Sequence, residues 1–112
     1  MMGRRDELKA ELDRIVKILI EEYKADKIIL FGSMALDDEK DLPEWADIDL
    51  IVIKDTNKPF FDRLEEVVEI VKPDIAADII VYTPKEMQEF EKTVFYNEEI
   101  AAKGKVIYEK LG

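Results

Sequence analysis

A chain of 112 residues with 47% apolar and 39% charged side chains makes one domain around one core, which excludes a multidomain enzyme. Its 17 Lys and Arg against 27 Asp and Glu give a net charge of -10, so the chain repels polyanions and nucleic acid is an unexpected partner. Neither cysteine nor histidine is present, which removes disulfides, thiolate and imidazole metal sites and Cys- or His-based catalysis, and leaves carboxylates and hydroxyls for chemistry.

In chain order, Leu8, Leu12, Ile15, Val16, Leu19 and Tyr23 recur at helical spacing and predict an amphipathic helix over Asp6 to Tyr23. Lys27 to Phe31, closed by Gly32, reads as a short buried strand, and the acidic stretch Asp37 to Ala46, with Pro43 and Trp45, as a loop. Ile48 to Ile53 is apolar on both faces, as in a central strand. Pro59 opens a second helix carrying Phe60, Leu64, Val67, Val68 and Val71, which ends before Pro73.

A third strand is expected over Ala76 to Tyr82. Thr83, Pro84 and Glu86 form a capping box opening a helix of about ten residues. A short helix around Asn97 to Lys103, stopped by Gly104, and a last strand over Lys105 to Glu109 complete the chain. The order predicts an α/β (α+β) domain spanning residues 1–112, with three or four strands. No run is long enough to span a bilayer and the polar start Met1 to Asp6 lacks a secretory signal's apolar stretch, so a cytoplasmic location without a membrane partner is expected. Thirteen Lys, fifteen Glu, two Asn and one Gln point to a thermophilic source.

Three oddities could carry chemistry. Gly32 is the only glycine between Gly3 and Gly104, and Ser33 the only serine in the chain; they stand together after a buried strand. Such a pair either ends the strand as a plain turn or lets a phosphate approach free amides and the hydroxyl. Asp47 and Asp49 are two apart at a strand start, which puts both carboxylates on one face, where a divalent cation would relieve their repulsion. Twelve Asp in 112 residues yield about one such spacing by chance, so the weight lies on its position before an apolar strand. Asp78, in the apolar run Ile75 to Tyr82, is either a third member of the site or a wet strand end. If strand 1 turns back on strand 2 and the second helix crosses over to a parallel strand 3, all of these groups meet at one edge, as in a two-metal site for nucleotidyl or phosphoryl transfer. Phe60, Phe61, Phe95 and Tyr96 are expected mostly in the core, with a partner surface as the alternative for the rest, and the acidic runs Asp37 to Asp41 and Glu65-Glu66 on solvated faces.

Phe31-Gly32-Ser33-Met34-Ala35, Ala46-Asp47-Ile48-Asp49-Leu50 and Asp78 within Ala77-Asp78-Ile79-Ile80-Val81 together resemble the minimal nucleotidyltransferases of the DNA polymerase β-like superfamily, over nearly the whole chain. The resemblance implies a small mixed sheet with helices on one face and the metal site on the open side. It implies that Asp47 and Asp49 ligate two magnesium ions, that Asp78 ligates one and helps activate the attacking hydroxyl, and that Gly32 and Ser33 hold the β and γ phosphates of ATP or another nucleoside triphosphate. Leu36-Asp37 stands where the family commonly has Arg-Gly, and the thirteen residues between Ser33 and Asp47 make a longer loop than is usual. Such proteins often pair with a helical HEPN-domain protein in toxin and antitoxin modules, and the chain resembles the antitoxin half. The expected function is transfer of AMP from ATP to a hydroxyl of that partner. The alternatives are a module that neutralises its partner by occlusion with a vestigial nucleotide site, and a homo-oligomeric nucleotide sensor.

Overall fold

Leu8, Ile15 and Leu19 fall on one side of a helix running Arg4–Glu21 (α1) in the computed structural model, which describes residues 3–35 and 46–111. The strands Lys27–Phe31 (β1) and Ile48–Ile53 (β2) follow, with a 3₁₀ turn at Gly32–Ala35. Then come the helix Phe60–Val71 (α2), the strand Ala77–Tyr82 (β3), the helix Pro84–Phe90 (α3), a π-helical segment Tyr96–Ala101 and the strand Lys105–Glu109 (β4). Of the predicted loop at residues 37–46, all but the buried Ala46 lies outside the described residues. Among those described, no helix is long and apolar enough to cross a membrane.

The four strands form one mixed sheet in the order β3-β2-β1-β4. β1 is antiparallel to β2 and β4, while β2 and β3 are parallel and joined through α2, as a crossover connection requires. β2 is central and buried on both sides, which is why its sequence does not alternate.

Alternation elsewhere divides the core in two. Ile28, Leu30, Leu50, Val52 and Val81 pack with Leu8, Ile15, Leu19, Val67 and Val71, so the two long helices cover one face. On the other face Ile29, Ile51 and Ile53 meet Met87 of α3 and Ile100 of the π-helical segment. The long helices therefore follow the expected one-sided arrangement, while the short ones close over part of the face expected to be open. α3 stops at seven residues rather than about ten, because Thr93 donates its hydroxyl to the Phe90 carbonyl (2.7 Å) and then accepts from the Tyr96 amide. A β-branched hydroxyl side chain competes there with continued helix.

α1 is tied to the α2–β3 connection by a buried carboxylate. Glu11, 5% exposed, takes two hydrogen bonds from Arg14 (2.7 and 2.9 Å) and others from the amides of Asp74 and Ile75. Arg14 in turn donates to the carbonyls of Val71 and Lys72 at the end of α2. The Arg14 hydrogen bond, outweighing the cost of burial, holds the Glu11 carboxyl down at about 2 from an ordinary 4.5. A depressed carboxylate stabilises the fold above pH 4.5, and that contribution fades as pH falls towards 2. Glu11→Gln is expected to cost about 2 kcal/mol in urea unfolding at pH 7, and the deficit should shrink by pH 2.5. An equal deficit at both values would mean that shape rather than charge is what matters.

Candidate active site

The register places three residues in a row across the end of the sheet: Phe31 of β1 opposite Asp49 of β2, and Asp49 beside Asp78 of β3. Period two carries Asp49 on the same side as Ile51 and Ile53, the face covered by α3 rather than by the long helices. Asp47 stands two residues earlier, just before β2 begins, and is exposed. The topology expected from sequence thus brings Gly32, Asp49 and Asp78 together at one end of the sheet, with Asp47 near enough for its charge to act on Asp49.

Burial is distributed differently from what the apolar runs suggest. Asp78 is exposed, because β3 is the outermost strand and its carboxylate can stay wet. The half-buried acid is Asp49. Its carboxyl is pushed up to about 6 from 3.8, first by burial, then by the charge of Asp78 and a hydrogen bond shared with it, and last by the charge of Asp47. Two carboxyls this close share a proton or need a cation between them.

Gly32 makes room for this arrangement. It sits at φ +70°, and a Cβ there would collide with Asp49 Oδ2 as that carboxyl now stands. The left-handed backbone favours glycine, and any side chain would push the carboxyl aside. The turn that follows is anchored from below by buried Ala35 and by Met34 packed on the main core, which leaves Ser33 half-exposed above.

Asp49 and Asp78 stand at one end of a cleft of about 540 Å³ whose other walls are Phe31, Ile51, Leu64, Ile79, Ile80, Tyr82, Phe90 and Phe95. None of these is Lys or Arg. Two adjacent carboxylates with no Lys or Arg among the described lining residues suit magnesium, which takes one or two carboxylates and fills its remaining positions with water and phosphate. Among the described residues no group of three or more acids is placed to hold an ion together; Asp47 acts on Asp49 through space.

Sequence reasoning left open which of the rings lie outside the core, and so did not place the aromatic side of the cleft. Of the four rings expected mostly in the core, Phe60 and Tyr96 are partly buried, whereas Phe61 is 76% and Phe95 51% exposed. Successive helical residues point about 100° apart, so Phe60 and Phe61 cannot share one core face; that was the available signal. Of the acidic runs, Glu65 is exposed and Glu66 is paired with Lys58, while Asp37 to Asp41 lies outside the described residues.

The chain matches, over residues 13–111, a family model described as Polymerase beta, Nucleotidyltransferase. It matches no curated protein and no solved structure.

Proposed function

The chain belongs to the polymerase β nucleotidyltransferase family, and from that premise we propose that it transfers AMP from ATP, with magnesium, to a hydroxyl of a partner protein. The observation that carries this reading is the pair Asp49 and Asp78 set side by side in register, with the Asp49 carboxyl at about 6 and glycine favoured next to it. Asp49 and Asp78, with Asp47 nearby, would hold magnesium, which when bound supplies charge neutralisation on the phosphate oxygens. Gly32 and Ser33 would take the β and γ phosphates.

In the transfer the acceptor oxygen bonds to the α-phosphorus as the bond from that phosphorus to the β-phosphate bridging oxygen breaks. Pyrophosphate leaves with the electron pair. Asp78 is suited to accept the acceptor's proton, since it is an exposed carboxylate at the edge of the sheet. The match over residues 13–111 accounts for the nucleotidyl-transferring domain, and the acceptor is proposed to come from outside it. A separate protein is the natural source, and a HEPN-type toxin is the partner we propose.

The test is to incubate the chain and its co-purified partner with ATP and magnesium and to measure the partner's intact mass. A gain of one adenylate is expected. A tightly bound partner of unchanged mass would favour the second reading, neutralisation by occlusion, which Leu36-Asp37 in place of the usual Arg-Gly also favours.

Ser33→Ala is expected to weaken binding of a non-hydrolysable ATP analogue with magnesium by about 1.5 to 3 kcal/mol, the value of a hydrogen bond to a charged oxygen, or about tenfold to a hundredfold. Calorimetric titration checks it. An unchanged affinity would return Gly32 and Ser33 to the role of a plain turn.

A further inference from the structure

Rings run continuously around the β3 edge from one face of the sheet to the other. Phe61 meets Phe60 edge-on at 5.4 Å, Phe60 lies 6.2 Å from Tyr82, Tyr82 lies 5.2 Å from Phe90, and Phe90 lies 6.1 Å from Phe95. The inner rungs are held. Arg63, 5% exposed, sits against Phe60, donates to the Val81 carbonyl and pairs with Glu86 of the α3 capping box. The outer rungs, Phe61 and Phe95, are exposed, and on α2 the stripe continues through Leu64 to Val68, itself 52% exposed. Apolar surface that is both exposed and already fixed in position is the mark of a recognition site, because binding there orders few side chains.

Charge selects the occupant. The spacing of α2 sets Glu65, Glu69 and Asp62, all exposed, on the helical face next to the stripe. Of the cations near the stripe, Lys58 pairs with Glu66 and Lys92 with Glu89. A second copy of this chain brings the same acids and a further charge of -10, and an anionic lipid surface is repelled in the same way. We propose that Phe61, Leu64, Val68 and Phe95 dock a protein segment whose apolar side chains are flanked by Lys or Arg. Phe95 and Leu64 also line the cleft that holds Asp49 and Asp78, so a segment seated there lies against the mouth of the candidate active site.

Three synthetic amphipathic helical peptides test this against the whole chain by amide chemical shifts and titration. One has a Leu/Phe stripe flanked by Lys, one the same stripe flanked by Glu, and one Lys with the stripe replaced by Ser. The first should bind at least about tenfold more tightly than either other and shift amides of α2 and of residues 90–95. Phe61→Glu and Phe95→Glu, at positions too exposed to hold the core, should each weaken it about tenfold or more, as loss of an aromatic anchor does. Unchanged melting of both variants confirms their folding. Equal binding of the Glu-flanked peptide, shifts mapping elsewhere, or self-association of the parent through the same residues in sedimentation would each overturn the proposal. No nucleotide, metal or transfer enters the measurement, so this surface and the transferase reading stand or fall separately.

Discussion

Asp49→Asn is expected to lower nucleotidyl transfer by about a thousandfold, corresponding to about 4 kcal/mol of lost transition-state stabilisation, and at the same time to raise the melting temperature of the metal-free chain at pH 8. Asparagine keeps the shape of the side chain and removes the charge. The sign of the stability change follows from the carboxyl standing at about 6 when folded against an ordinary 3.8. Between those values the folded chain holds a proton that the unfolded chain has released. Folding is therefore favoured at low pH and loses this contribution as pH rises towards 6. The mutant should melt above the parent at pH 8 and together with it near pH 3.5. Asp47→Asn should also lose activity but show a smaller pH-dependent gain, since the charge of Asp47 is the last of the causes that raise the Asp49 carboxyl. Transfer at the parent rate by Asp49→Asn would remove the carboxylate from the metal site, and an equal gain at both pH values would mean that its ionisation is not the cause.

Nucleotide and metal should bind only together, and this gives the second large effect. Among the described residues no Lys or Arg lines the cleft, and the chain carries -10, so a bare triphosphate meets net repulsion. ATP with a chelator should leave the melting midpoint where it is, magnesium alone should raise it slightly, and the two together should raise it most. Ligand at a hundred times its dissociation constant contributes about 2.7 kcal/mol, on the order of ten degrees for a domain of this size. An equal shift from ATP in the chelator would show that the acids are not a metal site, and occlusion of a partner would become the better account.

Much of this arrangement could be read from local patterns. Apolar alternation and the crossover rule were enough to bring Gly32, Asp49 and Asp78 to one end of the sheet, because a parallel connection through α2 has only one favourable hand. What local pattern could not decide was how deep each acid sits. Asp47 and Asp49 are the same residue type two positions apart, yet one precedes the strand and the other is enclosed by it. Asp78 lies in an apolar run but on an outermost strand. Depth depends on strand order and on which element covers which face. The exposed rings could not be placed for the same reason, since Phe95 lines a cleft that exists only once α2 and α3 are set against the sheet.

The close approach at Gly32 couples two properties that an engineer would wish to vary independently. Because the Asp49 carboxylate occupies the volume that any side chain at position 32 would need, the turn and the acid behave as one heritable unit. A substitution at 32 intended to change what the turn holds would push the Asp49 carboxylate into another rotamer, and so would move the acid together with the turn. A single step at this position therefore alters both properties at once.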